Sequence, residues 1–231
     1  MDYSEYFKNY TKSINEILDN VDSNLIEKSV KIINKIIKQN KRIFIIGNGG
    51  SASIASHVSV DFAKVARVSS STFNNSNLIT CFANDYKYEN WVAEAIKAYC
   101  DNKDLIILIS SSGKSKNIVN AAKYCQKKKI NLITLSGFNK NNPLSKLGLV
   151  NFYINSKNYN FIEMSHHIIL LSIVDFFANP LSKGRRTETD GDGERIQGVQ
   201  AHVPLRSGME YPRKGKPLTP IKETQIKLFL C

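Results

Sequence analysis

The sequence predicts an α/β fold in which a parallel sheet is covered by helices on both faces. Short apolar runs alternate along the chain with segments of helical spacing, an order that is typical of β-α-β units. The runs are apolar throughout, as expected for strands that are buried on both faces. Two of the runs end directly in loops rich in glycine or serine. The five predicted strands span residues 42–46, 78–82, 104–110, 131–136 and 151–154.

Helices are predicted before, between and after these strands. Two precede the first strand, because isoleucine, leucine and valine recur at helical spacing over residues 3–20 and 23–39. The last predicted helix, over residues 161–178, is apolar around most of its circumference, which indicates burial with other subunits as candidate partners. Helices between the strands are predicted over residues 51–67, 89–100 and 115–128.

The bulk composition indicates one globular domain. A chain of 231 residues with 42% hydrophobic and 23% charged residues can bury a full core. No apolar run is expected to reach the length of a bilayer span, and the N-terminus lacks the apolar centre of a signal peptide. The expectation is a cytoplasmic protein without a membrane partner.

Charge and cysteine content narrow the function classes. The formal net charge is +12, but the lysines are dispersed along helical segments and are not interleaved with aromatic residues. This pattern is typical of solvated helix faces that attract anionic substrates, so nucleic-acid binding is a minor hypothesis. The four cysteines show no CxxC spacing and therefore indicate neither a zinc knuckle nor a disulfide framework. Buried reduced thiols are expected at Cys81, Cys100 and Cys125.

A glycine turn follows the first predicted strand and opens directly into a predicted helix. The turn reads Gly47, Asn48, Gly49, Gly50, Ser51. A helix start presents unpaired backbone N–H groups and the positive end of its dipole, and glycines let a phosphate approach the backbone. The loop has neither the ending of a Walker A sequence nor the spacing of a dinucleotide fingerprint. Read alone, it is consistent with an anion site or with a plain strand-to-helix turn.

A second loop of the same kind follows the third predicted strand. Serine hydroxyls at the carboxyl end of a buried strand suit phosphate oxygens, although one serine would also serve as an ordinary helix N-cap. Because ligands of such sheets bind beyond the carboxyl ends of the strands, two loops of this kind favour one bound phosphate ester. The hydroxyl groups of this loop belong to Ser110, Ser111, Ser112 and Ser115.

The composition changes abruptly after Lys183. All 24 asparagines precede that point, whereas five of the seven arginines fall in the last 48 residues. Residues 184–231 show no periodicity and no apolar face. The prediction is one domain over residues 1–183 and an atypical tail that is disordered or not native. An appended tail, a frame-shifted end and an engineered remnant remain alternatives, and His202 and Cys231 receive no function.

Several motifs resemble those of the sugar isomerase (SIS) superfamily, and specifically of its phosphoheptose isomerases. They occur in the family's order: GNGGSASIASH, NDYKYEN, ISSSGKSKNIVNAA and ITLSGF. The resemblance implies a flavodoxin-like sheet and a homotetramer in which the helical pair of residues 1–40 serves oligomerisation. It also implies a substrate such as sedoheptulose 7-phosphate, in heptose synthesis for a surface polysaccharide.

The resemblance assigns roles to residues of both loops. The backbone at Gly49 and Gly50 would approach the ligand, and Asn48 and Asp85 would lie beside the sugar hydroxyls. The residues implied to hold the phosphate are Ser51, Ser110, Ser111, Ser112 and Ser115.

The implied chemistry is aldose–ketose isomerisation through an enediol intermediate. Such a reaction needs a base beside the carbon and a group that polarises the oxygens, either a second acid or a metal. The family has a His and a Glu four residues apart on the helix after the first loop, then a Gln and a His eight apart on the last helix. This chain matches in part, with His57, Asp61, Glu163 and Leu171 at those positions.

A local replacement for the missing histidine is available. His57 and Asp61 are four residues apart on one predicted helix, as are Glu163 and His167 on another, so each pair can share a face. These four are the candidate ligands of zinc or a similar divalent ion, and Asp61, Glu163 and His167 are the candidate catalytic residues. The plainer alternatives are a core histidine at His166 or His167 and a solvated carboxylate at Asp61.

A non-catalytic SIS protein is the alternative function. It would be a sugar-phosphate sensor or a tetrameric interaction protein of the kind that associates with the bacterial replication initiator. Leu171 favours this alternative, because leucine can neither bind a metal nor transfer a proton. The non-catalytic alternative is disfavoured by a group of polar residues that phosphate binding alone does not require, namely His57, Asp61, Asp85 and Glu163. A DNA-binding regulator of this superfamily would carry a helix-turn-helix domain, for which the N-terminal segment leaves little room.

Overall fold

The computed structural model describes residues 2–179. Along this part of the chain the elements are α1 (Tyr3–Asp19), α2 (Ser23–Lys38), β1 (Ile43–Ile46), α3 (Gly50–Lys64), β2 (Ser70–Ser71), α4 (Ser76–Tyr86), α5 (Trp91–Tyr99), β3 (Leu105–Ile109), α6 (Lys116–Lys128), β4 (Asn131–Ser136), a 3-10 helix (Pro143–Lys146), β5 (Val150–Tyr153) and α7 (Tyr159–Ala178). The predicted domain boundary at residue 183, the tail and Cys231 lie outside the described residues.

The five strands form one sheet in the order β2-β1-β3-β4-β5, and every neighbouring pair is parallel. Ile43 of β1 lies opposite Leu105 of β3, and the register continues to Ile46 opposite Leu108. This strand order is that of flavodoxin-like sheets, in which the direction of winding reverses between β1 and β3. The predicted fold class is confirmed.

The central strands β1, β3 and β4 are buried on both faces, which explains their largely apolar sequences. Alternate residues of a strand point to opposite faces. Phe44 and Ile46 pack in a core with α5 and α6, whereas Ile43 and Ile45 pack in a second core with α2, α3 and α7. Helix α3, which follows β1, therefore covers one face, and α6, which follows β3, covers the other. The chain opens a crevice where these two connections diverge.

One predicted strand is wrong. Residues 78–82 lie within α4, whose N-cap Asn75 accepts a hydrogen bond from the Asn77 N–H. Leu78 and Phe82 are four residues apart and pack together against the core on one side of this helix. A short apolar run does not by itself distinguish a strand from one helix face. The second strand is instead Ser70–Ser71, which is too short and too polar to be recognised.

The same error affected one cysteine. Cys81 lies on α4 and is exposed, whereas Cys100 is half-buried and Cys125 is buried. The prediction of a buried thiol is therefore wrong for Cys81, because the helix turns this residue toward solvent. Burial raises the pKa of the Cys125 thiol to about 12 and also raises the pKa of Cys100. Both of these thiols stay protonated near neutral pH.

Helix α7 is long and apolar enough to cross a membrane by length and composition alone. It has 20 residues with a mean hydropathy of 1.5, so the expectation that no apolar run reaches that length was wrong. In this fold α7 is a core helix, since Ile162, Ile169 and Ile173 are buried against the sheet and its neighbours. The ring of Tyr10 on α1 packs edge-on against Phe161 of α7, with ring centroids 4.8 Å apart.

A buried carboxylate joins the starts of β1 and β3. The side chain of Asp104 is 1% exposed and accepts hydrogen bonds from the backbone N–H of Arg42 at 2.9 Å and from its guanidinium at 2.8 Å. The Asp101 N–H donates a third hydrogen bond at 2.9 Å. Strands β1 and β3, which lead into the glycine loop and the serine loop, are therefore joined to each other at their amino ends, on the side of the sheet away from the loops.

Asp104→Ala is expected to lower the free energy of unfolding by about 2 kcal/mol, because the backbone N–H groups of Arg42 and Asp101 lose their charged acceptor and the exposed Arg42 guanidinium loses its ion pair. Chemical denaturation of the variant and the wild type measures this difference. Asp101→Ala is the matched control, since Asp101 pairs with Lys41 at the surface, where an ion pair adds little to stability. Equal losses in the two variants would contradict the importance of the buried carboxylate.

Candidate functional site

The first loop is shaped by glycine and clamped by an asparagine from another strand connection. Gly49 has a φ of +54°, in the left-handed region that favours glycine, and its C=O accepts the first hydrogen bonds of α3. Asn74 follows β2, donates to the Gly47 C=O at 2.8 Å and accepts from the Gly47 N–H at 3.3 Å. Sequence reasoning missed Asn74, because only the pairing of β1 with β2 brings it to this loop.

The second loop is held by its own hydroxyls and by a distant asparagine. Ser110 donates to Ser115 at 3.1 Å, and the backbone N–H of Lys114 donates to the Ser112 hydroxyl at 3.2 Å. Gly113 has a φ of +64°, and a Cβ at this position would overlap the side chain of the buried Asn142. Asn142 was also missed, because nothing near it in the sequence marks it as a partner of the serine loop.

Both loops line one cavity of about 250 Å³ at the β1–β3 crevice. The donors available there are backbone N–H groups and serine hydroxyls. The lining residues are Asn48, Gly49, Gly50, Ser51, Ser110, Ser111, Ser112, Ser115, Tyr159 and Glu163. All the predicted loop residues therefore meet at one place, and Tyr159, at the start of α7, is an addition. Their binding roles stay predictions.

Asp85 is the exception among the predicted sugar-contacting residues. It lies exposed on α4, accepts a hydrogen bond from its neighbour Asn84, and is not among the residues that line the cavity. Asn48 instead exchanges two hydrogen bonds of 2.9 Å with Asn117 of α6. The Tyr88 hydroxyl lies 3.5 Å from the Asn48 side-chain oxygen. Helix α6 therefore holds Asn48 in place, and the predicted role of Asp85 stays a prediction.

A larger cavity of about 640 Å³ lies between α1 and the β5 side of the sheet. Glu16, Lys140 and Tyr153 are among its lining residues. Neither the glycine loop nor the serine loop reaches it, so size alone does not identify the functional site.

A chain of three polar side chains joins α3 to α7 close to the 250 Å³ cavity. The Nε2 atom of His57 lies 3.2 Å from a carboxylate oxygen of Asp61, and its Nδ1 atom lies 2.9 Å from Nε2 of His167. A carboxylate only accepts, so a neutral His57 donates from Nε2 to Asp61, and its Nδ1 accepts from the Nε2–H of His167. This arrangement leaves a lone pair on Nδ1 of His167.

The environment keeps His167 neutral near neutral pH. Burial lowers its pKa and the neighbouring His57 lowers it further, while Asp61 acts in the opposite direction. A neutral imidazole with a free lone pair can accept a proton. Helix α7 places Glu163, a lining residue of the cavity, one turn before His167, about 6 Å along the helix axis. The arrangement can therefore combine anion binding with proton transfer.

The four predicted metal ligands do not form one group. Asp61 contacts Nε2 of His57, whereas His167 contacts Nδ1 on the other edge of the ring. As placed, these three side chains therefore do not converge on one metal position. Glu163 turns away toward the cavity and accepts a hydrogen bond from the Ser111 hydroxyl at 3.3 Å. Among residues 2–179, no group of three or more His, Cys, Asp or Glu side chains is arranged to hold a metal ion. The side chains as placed do not fit the expected zinc site.

The two adjacent histidines of α7 have separate roles. His166 is fully buried, with its Nε2 atom 3.2 Å from the Ser136 C=O, so it is the core histidine of the sequence-based alternative. Burial lowers its pKa to about 4. Leu171, one turn after His167, packs against the hydrophobic core.

The chain is a parallel α/β domain with a glycine loop and a serine loop at the point where the direction of strand winding reverses. Domains of this class bind small ligands at that point. The family model described as "SIS domain" matches residues 5–137, more than half of the chain. The chain belongs to the SIS domain family.

Curated relatives show that the chain belongs to the phosphoheptose isomerases within this family, and a solved structure shares its fold. "Phosphoheptose isomerase 2" of Campylobacter jejuni is 36% identical over 128 residues, which cover 50% of this chain and 62% of that protein, less than two thirds of its length. A phosphoheptose isomerase of Helicobacter pylori is 31% identical over 163 residues, covering 65% of this chain and 83% of that protein. The structure of a phosphoheptose isomerase from Francisella tularensis shares the fold, with a TM-score of 0.68 at 20% identity, covering 77% of this chain and 98% of that one.

Acid is expected to destabilise the protein through His166. Its folded-state pKa of about 4 lies below the ordinary value of 6.5, so the unfolded chain binds more protons between these values. Stability is therefore lost as the pH falls through this window, by about 3 kcal/mol from this residue. Urea unfolding at pH 7 and pH 4.5 measures the loss. His166→Gln should remove most of the histidine's contribution, whereas the control His167→Gln should retain it; identical pH profiles for His166→Gln and wild type would contradict this role.

Proposed function

We propose that the chain is a phosphosugar isomerase that interconverts sedoheptulose 7-phosphate, or a closely related ketose phosphate, with its aldose through an enediol. One observation carries the proposal: the glycine loop and the serine loop line a single cavity, and its lining residue Glu163 lies one turn of α7 before His167 of the Asp61–His57–His167 chain. The names of the curated relatives, phosphoheptose isomerases, support the same reaction class. Cytoplasmic location and heptose supply for a surface polysaccharide follow from the resemblance alone and belong to the proposal.

The phosphate would be bound by neutral donors. The start of α3 offers N–H groups and a positive dipole end, and the serine hydroxyls supply further hydrogen bonds to phosphate oxygens. No lysine or arginine is among the residues that line the cavity. A phosphate held in this way anchors one end of the sugar and leaves the carbonyl end to extend along α7 toward His167.

Proton transfer is assigned to His167. Its Nδ1 takes the proton from the carbon beside the carbonyl, the C–H electron pair forms the C=C bond, and the carbonyl π pair moves onto the carbonyl oxygen, which takes the proton of the neighbouring hydroxyl. The reverse electron shift forms the new carbonyl, and the protonated imidazole, whose proton exchanges with solvent, donates a proton to the carbon that carried the original carbonyl. Asp61 accepts from Nε2 of His57 and so fixes the tautomer of that ring. His57 in turn fixes the tautomer of His167, and Asp61 therefore acts as a positioning residue. This revises the sequence-based hypothesis of Asp61 as the base, because its carboxylate faces His57.

A sugar-phosphate sensor is the second candidate. Leu171 favours it, because this side chain packs against the core and leaves the family's second histidine without a direct replacement. Structures that share the fold include the Vibrio vulnificus NanR protein complexed with ManNAc-6P, with a TM-score of 0.56 at 19% identity. A sensor would keep the phosphate cradle without turnover, whereas the His57–His167 contact has no evident use in phosphate binding.

Hydrogen exchange separates the two candidates. With sedoheptulose 7-phosphate in deuterated water, the wild type is expected to incorporate deuterium beside the carbonyl and to form the aldose, both visible by NMR. His167→Gln should slow exchange by about 100-fold or more while binding changes little. Parallel reactions with added zinc and with a chelator test the expected metal.

Two outcomes would contradict the proposed isomerase function or the assignment of His167 as the base. Sugar binding without any exchange in the wild type would favour the sensor. Exchange that survives in His167→Gln but disappears in Asp61→Asn would return the base to Asp61.

A homo-oligomer, and specifically a tetramer, is part of the proposal. Helix α1 has no buried residue in the single chain. Its apolar stripe of Tyr3, Tyr6 and Phe7 is exposed, by 80%, 56% and 65% respectively. Apolar surface of this kind is typical of subunit interfaces. The resemblance supports four subunits.

Phe7→Glu is expected to dissociate the tetramer, because a charge in the apolar stripe of α1 would be buried without a partner. Sedimentation equilibrium measures the mass of the assembly. Lys8→Glu is the control, because it adds an acidic side chain at the adjacent exposed position outside the stripe. A wild-type monomer, or a Phe7→Glu variant that remains tetrameric, would contradict a role of α1 in assembly.

A further inference from the structure

The fold gathers basic side chains at the amino ends of the strands, which form the edge of the sheet opposite the glycine and serine loops. Lys41, Lys103 and Lys129 each lie two residues before positions that the strand register places side by side in β1, β3 and β4. Arg67 lies three residues before Ser70 of the adjacent strand β2. Neighbouring strands are about 4.8 Å apart, so these four cations, here called the basic row, occupy a line about 15 Å long.

Contacts between the segments that precede the strands show that the basic row is continuous. The ammonium group of Lys41 lies 2.9 Å from a carboxylate oxygen of Asp101, which precedes β3. The side-chain amide of Asn131, at the start of β4, donates to the Lys103 C=O at 3.4 Å. The segments before β1, β3 and β4 therefore touch one another at this edge.

Three members of the basic row carry charges that the protein itself does not neutralise. Arg67, Lys103 and Lys129 are exposed, and no acidic side chain among residues 2–179 lies within ion-pair distance of them. The last turns of α2, α3 and α6 add further cations at the same edge, namely Lys35, Lys38, Lys64, Lys127 and Lys128. Cations in a last turn offset the helix dipole, but this effect falls off beyond the turn, where the three residues of the row lie.

Two of these cations occupy backbone conformations that favour glycine. The φ angle is +59° at Arg67 and +57° at Lys129. The N–H groups of Lys129 and Ile130 donate to carbonyl groups of the last turn of α6, a helix ending at which glycine is the usual residue. A side chain in this region is less favourable than glycine, so folding does not account for a long basic side chain at both positions. An external partner for the charges does.

A row of cations without acidic partners fits a linear polyanion. Nucleic acids carry closely and regularly spaced phosphates, which lysine and arginine bind whatever the base sequence. The basic row has no ring on which an unpaired base could stack, and the ring of Tyr99 at the same edge packs against Phe73 and Phe82. A duplex needs no such ring, because its bases are already stacked inside the double helix.

We propose that the basic row binds the phosphate backbone of a nucleic-acid duplex without sequence preference, through Arg67, Lys103 and Lys129. This surface lies at the opposite end of the strands from the 250 Å³ cavity, which the loops at the carboxyl ends line. The inference therefore goes beyond the proposed function and does not depend on it. Dispersion of the lysines along the sequence made nucleic-acid binding a minor hypothesis, whereas the strand register brings these cations together.

A triple variant, Arg67→Gly with Lys103→Gln and Lys129→Gly, tests the proposal in the full chain. Fluorescence anisotropy with a labelled DNA duplex of random sequence gives the Kd over a series of salt concentrations. Each lost phosphate contact lowers the slope of log Kd against log salt by about 0.9, so the slope should fall by about 2.7 and the Kd at low salt should rise about tenfold or more. Because glycine suits both positive φ angles, the variant should melt no lower than the wild type.

Lys8→Gln with Lys140→Gln and Lys157→Gln is the matched control, since it removes the same charge from exposed positions away from this edge. The control should keep the wild-type slope. Equal losses in the two triple variants would reduce the effect to net charge and overturn the basic row as a site. A wild type that does not bind the duplex at low salt, or that binds vesicles of anionic phospholipid but not the duplex, would also overturn the proposal.

Discussion

The parallel pairing of β1 with β3 is the constraint on which the site depends. The two strands are far apart in sequence, yet their register is continuous from Ile43 opposite Leu105 to Ile46 opposite Leu108. The pairing brings the glycine loop and the serine loop to the same edge of the sheet. The connections then leave toward opposite faces, since α3 and α6 pack in different cores. A crevice between them follows from this divergence.

The packing of α3 on α7 adds the reactive groups to this crevice. Helix α3 begins at the glycine loop and carries His57 and Asp61, while α7 carries Glu163 and His167 on neighbouring turns. The contact of 2.9 Å between the two histidines and the contact of Glu163 with Gly50 are both consequences of this one helix pair. The proposed phosphate-binding and proton-transfer groups therefore share a single structural support.

Much of the fold could be predicted from the sequence because the central strands are continuous apolar runs. The strands β1, β3, β4 and β5 were recognised in this way, and both loops were recognised because their residues are contiguous. The edge strand Ser70–Ser71 and the helix α4 were not, since two serines carry no signal and a five-residue apolar run fits either a strand or a helix face.

The parts of the site that depend on distant contacts could not be predicted. Asn74 and Asn142 support the loops from other connections, and no local pattern identifies them. Helical spacing correctly indicated that Glu163 and His167 share a side of α7. Spacing does not give side-chain direction, however, and Glu163 turns to the cavity while His167 turns to His57. As placed among residues 2–179, these side chains therefore do not form one group, and the metal site stays a prediction.

A crystal structure of the protein with bound sedoheptulose 7-phosphate would test the central claim most directly. We expect one phosphate within hydrogen-bonding distance of both the Ser51 and the Ser112 loops, with the carbonyl end of the sugar directed along α7 toward Nδ1 of His167. A phosphate that contacts one loop only, or a sugar bound in the cavity between α1 and β5, would contradict the convergence of the two loops on a single ligand.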